Sequence, residues 1–433
     1  VPSDPRRRRW RAYRRGAPGR IAVLLTLGLI ATACHTVTTT HKGPGAPHVL
    51  GQPEKTPDAV GQPAPAGTGQ LDAVSCGDAT HCWAVGSPGA VNAATTPTTT
   101  SSAPAAPSAT ATVIDATGDG GKTWVAEPLA LSPAPALTGI SCPGPQACMA
   151  VGLNGSGLAG IVLVTRDAGA TWTAATTPAG AVVLTSVDCA GTTDCTAIAS
   201  DGTSFWSAHS TDFGNTWTRQ GDLPAGMQDA GSLSCAGDGT CLVTGFTATT
   251  AGHGQGAVAV STDGAASWIA ATVPAGTGLL QSVLCTTVTS CLAVGTTSST
   301  VSAVVPAKGA ILSSDDGGHT WAVAAAVSRQ PVDDMYGIAC ASPLICAVVG
   351  TEWTGTPTVG AGAVARSADG GLTFSAATTE YTPLPLTAVA CPTTRQCVAV
   401  GGNTVARLGF PRPAKVHAVT PAAGTKPRRR VGR

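Results

Sequence analysis

An all-β fold built from seven repeats is predicted by three observations. Fourteen cysteines fall into seven pairs of identical C-x5-C spacing. A second pattern, S/T-x-D-x-G-x-T-W, alternates with those pairs six times. Gly 54 and Pro 32 in 433 residues supply many turns, while 43% apolar and only 11% charged residues suffice for a large core and exclude wholesale disorder.

In chain order, residues 1–33 read as an export signal. Arg6–Arg9, Arg11, Arg14, Arg15 and Arg20 precede the apolar run Ile21–Ala33, which at 13 residues falls short of the roughly 20 needed by a membrane-spanning helix. The run ends Ile30-Ala31-Thr32-Ala33-Cys34 and resembles a bacterial lipobox. That resemblance implies a lipid on Cys34 and a chain held at the outer face of the cytoplasmic membrane; a secreted chain is the other reading. General secretory and twin-arginine export both stay open. Residues 34–55, rich in Thr, Pro, Gly and Ala, read as a lipid-anchored flexible tether. The formal net charge of +1 hides eight arginines against one acid in the first 33 residues. The remainder holds 17 basic and 23 acidic residues, a net −6, which excludes a basic nucleic-acid-binding surface.

The cysteine pairs are Cys76/Cys82, Cys142/Cys148, Cys189/Cys195, Cys235/Cys241, Cys285/Cys291, Cys340/Cys346 and Cys391/Cys397. Alternating apolar residues such as Leu71-Asp-Ala-Val and Leu386-Thr-Ala-Val precede the first cysteine. The second opens another short apolar run, as in Cys82-Trp-Ala-Val-Gly. Each repeat therefore starts with a hairpin, strands A and B, stapled at the base of its loop. The spacing does not fit a zinc knuckle, and an exported chain favours disulfides, each worth roughly 2 kcal/mol in the loop-entropy model.

The alternating pattern spans Thr117–Trp124, Thr165–Trp172, Ser210–Trp217, Ser261–Trp268, Ser314–Trp321 and Ser367–Phe374, with Asp119, Asp167, Asp212, Asp263, Asp316 and Asp369 at its third position. The fourth copy carries Ala265 for the glycine and Ser267 for the threonine; the sixth ends in Phe374 instead of a tryptophan. These residues resemble the Asp-box (BNR) repeat of sialidases and related β-propellers. The physical content is a tight hairpin turn: Asp and Ser/Thr side chains bond turn amides, Gly takes positive φ, and the aromatic packs into the blade. Calcium is not expected, since the oxygen ligands of an EF-hand loop are missing. The eight histidines show no ligand spacing, so neither metal nor cofactor is expected.

Copies recur 45 to 53 residues apart, the length of one four-stranded blade, with strand C before the turn and strand D from the aromatic. The seventh repeat, Leu386–Phe410, has no Asp box and no strand D. In the other repeats the aromatic precedes the next first cysteine by 17 to 19 residues, and that distance back from Cys76 falls within Asp58-Ala-Val-Gly-Gln62. Residues near 56–63 are therefore expected to close the last blade. The fold expected is a seven-bladed β-propeller over 56–410, a single domain.

The resemblance implies that active sites of such propellers lie on the face of the B–C and D–A loops, opposite the cysteine loops and Asp boxes. A sialidase-like site needs three arginines, a tyrosine with its glutamate, and an acid/base aspartate. Arg166, Arg366 and Arg395 belong to the other face, leaving Arg219 and Arg329. The candidate cluster is Arg329, Asp333, Asp334 and Tyr336, leading into the sixth blade, with Trp353 and Trp206 as candidate stacking residues in B–C segments. The loop Ser87–Thr110 is a Thr/Ser/Ala/Pro-rich insertion beside that face. Residues 411–433, with seven basic residues and no acid, read as a disordered tail or a contact for anionic lipid or wall polymer. The non-catalytic members implied by the resemblance, photosystem II assembly factors and sortilin-type receptors, bind proteins or peptides. The function expected is a monomeric, lipid-anchored, non-catalytic propeller binding an envelope protein or glycan. A secreted sialidase-like glycoside hydrolase with an atypical site is the alternative.

Overall fold

A computed structural model describes residues 60–88, 113–248, 254–297, 308–324, 332–352, 360–375 and 384–410. The readings of the export signal, the lipid on Cys34, the tether, most of the Ser87–Thr110 loop and the basic tail lie outside them.

Among the described residues, twenty-seven strands form seven antiparallel sheets. β1 (Val60–Pro63) opens the chain. Blade 1 holds β2–β5 (Gln70–Cys76, Cys82–Ser87, Ile114–Thr117, Val125–Ala126), and blade 2 holds β6–β9 (Ala136–Gly144, Ala147–Leu153, Gly160–Thr165, Thr173–Ala174). Blade 3 holds β10–β13 (Val183–Ala190, Asp194–Ser200, Phe205–Ser210, Thr218–Asp222), and blade 4 holds β14–β17 (Met227–Cys235, Cys241–Ala248, Gly254–Ser261, Ile269–Ala270). Blade 5 holds β18–β21 (Thr277–Cys285, Cys291–Thr297, Gly309–Ser314, Ala322–Val323). Blade 6 shows β22–β24 (Asp334–Cys340, Cys346–Glu352, Ala361–Ser367), and blade 7 shows β25–β27 (Ala388–Thr393, Gln396–Gly401, Thr404–Gly409).

The A strands touch one another in sequence, and β2 touches β25, so a ring closes around them. β1 pairs antiparallel with β27, Val60 opposite Arg407 and Pro63 opposite Thr404, and supplies the fourth strand of blade 7. The expected closure by an N-terminal strand is therefore seen.

All seven expected disulfides form: Cys76–Cys82, Cys142–Cys148, Cys189–Cys195, Cys235–Cys241, Cys285–Cys291, Cys340–Cys346 and Cys391–Cys397, with Cα atoms 3.9–4.1 Å apart. The pairing and its place at the base of each A–B hairpin are as expected, and the second cysteines are in addition buried. Cys82, Cys148, Cys195, Cys291, Cys346 and Cys397 are all 0% exposed, and Cys241 is 2% exposed. Each of these second cysteines stands at or next to the start of a B strand that neighbouring blades cover. Cys148 packs in the seam between blades 1 and 2, Cys195 in that between blades 2 and 3, and Cys397 in that between blades 6 and 7. These sulfurs are core groups and contribute nothing to a binding surface.

The B strands carry runs of fully buried residues because each blade is covered on both faces. The buried apolar residues divide into seven clusters, one for each seam between neighbouring blades. The closing seam, between blades 7 and 1, has the smallest buried set: Leu71, Ala84, Val400 and Val405. Polar contacts supplement it. Leu71 N–H donates to Gly402 O at 2.6 Å, and Gln62 Nε2 to Lys122 O at 3.2 Å. Thr68 Oγ1 donates to both carboxylate oxygens of Asp115, at 3.0 and 2.8 Å.

The six Asp turns share one geometry. In blade 2, Thr165 Oγ1 donates to Asp167 Oδ1 (2.8 Å) and accepts from Gly169 N–H (2.9 Å). Thr171 donates its N–H to Asp167 Oδ1 (2.9 Å) and its hydroxyl to Oδ2 (2.6 Å). The same bonds recur in the other five. The turn differs from expectation in needing two consecutive left-handed residues after the aspartate. Ala168, Phe213 and Ala265 accept that conformation without being glycine, at φ 59, 54 and 68°. Strand D is also shorter than expected. It begins after the aromatic and has two residues in blades 1, 2, 4 and 5, because the chain then leaves its own blade. In blade 4 it pairs with the next turn: Thr272 N–H donates to His319 O (2.9 Å), and Thr272 O accepts from Trp321 N–H (3.0 Å).

The second left-handed position is a seam contact. A Cβ there would lie 2.4 Å from Leu242 at Gly318, 2.6 Å from Leu292 at Gly371 and 2.9 Å from Met149 at Gly214. Each of these partners follows the second cysteine of the preceding blade. Blade 4 carries Ala265 there, and the corresponding residue of blade 3 is the shorter Thr196. Gly318→Ala is therefore expected to cost about 2–3 kcal/mol in urea unfolding, and Leu242→Thr in the same chain to recover part of it. At Gly264, where a Cβ meets nothing within 4 Å, alanine is expected to cost only about 1 kcal/mol.

Burial pushes Asp115 from 3.8 up to about 6, against the Thr68 bonds. Bonds from Ser267 and Thr320 instead hold Asp263 and Asp316 near 2. A raised carboxyl stabilises below its unfolded value and loses that contribution as pH rises through its folded value; a depressed one loses it as pH falls. Melting temperature measured against pH should decline from about pH 4 to 6 and also fall steeply towards pH 2. Asp115→Asn should make the upper limb shallower, leaving the part due to Glu127, which burial raises to about 7, and should leave the acid limb in place.

Candidate functional site

The site is built on an irregularity shared by the A strands. In blades 1, 2, 3, 5 and 6 pairing with strand B shifts immediately after an anchor, Leu71, Leu137, Leu184, Leu280 or Met335, each at most 1% exposed. Blade 4 has the same shift after Ala230. The residue left out stands four before the first cysteine: Asp72, Thr138, Thr185, Gly231, Gln281 or Tyr336, and in sequence register Thr387 of blade 7. Bulges re-aim side chains, and all seven positions remain partly or fully exposed, each directly after a buried residue. Thr138 Oγ1 reaches the next blade at Leu184 O (2.7 Å), and Thr387 Oγ1 reaches Leu71 O (3.0 Å). These residues thus form a ring around the inner strands on the side of the D–A connections.

The opposite face is built differently. The residue after each turn aspartate donates its N–H to the carbonyl two before the second cysteine, as Gly120 to Thr80, Phe213 to Thr193 and Gly317 to Thr289, at 2.9 Å each. Phe410 makes the same bond to Arg395 O in blade 7, which lacks the turn. Cysteine loops and Asp turns are therefore bonded into one face.

The ring's acidic side is blade 6. Asp333 N–H donates to Thr351 O at 2.9 Å, Asp334 pairs with Thr351 in register, and Glu352 follows. Burial raises Glu352, and Asp333 adds to it; burial raises the Tyr336 hydroxyl, and Asp334 adds to it. In blade 1 burial also raises Asp72, against the bond from Gln70. The structure thus brings Asp333, Asp334 and Tyr336 together, and adds Glu352.

Arg219 does not join them. It lies on β13, the outermost strand of blade 3, where it pairs with Asp222 at 2.6 Å and stacks over Trp206 at 4.2 Å. Trp206 is fully buried in the seam between blades 2 and 3 and covered by Arg219, so its side chain is core and leaves no face open to a partner. Its position at the start of strand C placed it near the loops, but the strand turns it inward. Arg329 and Trp353 lie outside the described residues. The constellation drawn for a hydrolase is therefore split between an outer strand of blade 3 and an inner strand of blade 6. Arg166 donates to Phe213 O at 3.2 Å on the turn-bearing face. Among the described residues no group of three or more His, Cys, Asp or Glu side chains is placed to hold a metal ion.

Ring and rigid face together define a seven-bladed β-propeller with a polar inner mouth. No family model matches the chain, and no curated protein matches it. Solved structures do resemble it. One is YCF48 bound to D1 peptide, at TM-score 0.55 and 18% identity over 84% of this chain and 97% of that one. Another is the GH74 xyloglucanase from Xanthomonas campestris, at TM-score 0.54 and 13% identity; 81% of this chain matches 54% of that enzyme. A third is a catalytically inactive virginiamycin B lyase from Staphylococcus aureus with quinupristin, at 0.55 and 8% identity over 82% of this chain and 99% of that one. At these identities the likeness is one of fold alone.

Trp206→Ala is expected to cost about 3–5 kcal/mol in chemical unfolding, whereas Arg219→Ala, removing an exposed pair and a stacking contact, should cost about 1.

Proposed function

We propose that the protein is an exported, lipid-anchored, non-catalytic propeller that binds an envelope protein through the mouth bearing the B–C and D–A loops. One observation carries this reading: six bulges set Asp72, Thr138, Thr185, Gly231, Gln281 and Tyr336 at one register position of the inner strands, which Thr387 occupies in blade 7. A half-buried phenol amid hydroxyls, an amide and carboxylates suits an extended chain with both polar and apolar side groups. The similarity to YCF48 bound to D1 peptide supports a protein over a glycan as partner. Cys34 after the apolar run supports the anchor, and the seven disulfides fit an oxidising compartment.

The test is photo-cross-linking in cells from position 138 at the mouth and, in parallel, from position 122 on the turn-bearing face. Capture of one envelope protein from position 138 alone is expected, reduced about tenfold or more by Tyr336→Ala. Equal capture from both positions, or carbohydrate alone from position 138, would overturn the protein-partner reading.

A further inference from the structure

One seam carries a group that the proposed function leaves unused. Between blades 1 and 2, Trp83 follows the second cysteine and faces the turn of the next blade, where the other seams have Val, Met, Thr, Leu or Ala. Its indole is 1% exposed and donates from Nε1 to Glu127 Oε1 at 3.2 Å. The other Glu127 oxygen accepts from Trp172 Nε1, the aromatic of the blade 2 turn. A Cβ on Gly169 would lie 2.2 Å from Glu127 Oε1 and 2.6 Å from Trp83 Nε1, so both groups lie directly on that turn. Glu127 N–H donates to Ile114 O at 2.9 Å, which fixes the backbone behind it.

Three residues after the turn aromatic, where blade 1 has Glu127, the other blades have Ala175, Gln220, Ala271, Ala324 and Ala377. The carboxylate therefore accompanies Trp83: a buried indole needs an acceptor, and a carboxylate supplies two. Its other titratable neighbours are Asp115 on strand C of blade 1 and Asp167 in the blade 2 turn; His81 lies beyond, stacked on Trp83 with ring centroids 6.3 Å apart.

We propose that Glu127, a carboxyl held between two indoles in the seam between blades 1 and 2 and beside two aspartates, makes that seam a pH-responsive joint that loosens when the carboxyl ionises. Burial raises the group from 4.5 to about 7; the two indole bonds oppose this, and the Asp115 and Asp167 charges add to it. Because the folded value exceeds the unfolded one, the stabilisation is full below about 4.5 and is lost as pH rises through 7. Above neutrality, ionised Glu127 adds its charge to those of Asp115 and Asp167, and the joint itself is where the cost falls.

The test is amide hydrogen exchange on the full chain from pH 5 to 9, with rates normalised for intrinsic exchange. Protection of residues 169–171 should fall with a midpoint near neutrality, while residues 318–320 of blade 5 stay level. Glu127→Gln, which keeps an acceptor and cannot ionise, should abolish that titration. Asp167→Asn removes a like charge and should move the midpoint to lower pH. An unchanged titration in Glu127→Gln, or equal loss of protection in both turns, would overturn the proposal. Should Glu127→Gln fail to fold, a midpoint unmoved by Asp167→Asn is enough to overturn it.

Discussion

Seven strands standing edge-on around a channel leave seven inner rows of backbone N–H groups with no strand to pair with, and the ring depends on their finding acceptors. The chain supplies them from the neighbouring blade. Ser75 Oγ accepts the Cys142 N–H and Ser141 Oγ that of Cys189, each at 3.0 Å, and Asp188 Oδ2 accepts that of Cys235 at 2.7 Å. A second series, two residues nearer the mouth, runs from Ser186 to Leu233, Ser232 to Val283 and Ser282 to Ile338. Five of these six acceptors are serines, whose short side chains let the strands approach, and the sixth is Asp188. The same bonds index each blade against the next.

Two faces follow with different mechanical character. On one, every turn aspartate binds its own loop, and the residue after it is bonded to the cysteine loop, so each side chain is already engaged. On the other, Thr138 and Thr387 are bonded to the neighbouring blade. The first face sets the spacing of the blades.

Much of this was legible in the chain because it depends on spacing. Cysteine pairs and Asp turns recur in register, and the missing strand of blade 7 is found by counting back from Cys76. Spacing gave the pairing of Cys148, Cys195 and Cys397 but not their burial, which depends on the blade packed against them. The first left-handed residue of each turn was not legible, since Ala168 and Phe213 show no glycine there; the seam contact at the next position becomes visible only with the packing partner known. Trp206 misled because a tryptophan near a loop reads equally as surface or core. The bulge ring had a signal, the residue four before each first cysteine, but its members, from Asp72 to Gly231 to Tyr336, share no chemistry. Repetition marks what each blade needs for folding and is silent where blades differ.

That silence locates function more closely than the likenesses do. A propeller with one repeating solution at every seam has freedom only where the repeat lapses: the mixed ring at the mouth, the unequal loops, and the seam where Trp83 and Glu127 replace smaller residues. The closing seam shows how such a lapse is accommodated. Its apolar set is small, and hydrogen bonds from Gln62, Thr68, Leu71 and Thr387 stand in for the missing area. Hydrogen bonds of this kind contribute about 1 kcal/mol each when complete and cost more than that when one partner is lost. The ring is thus held most evenly by its repeated seams and most conditionally by its polar ones.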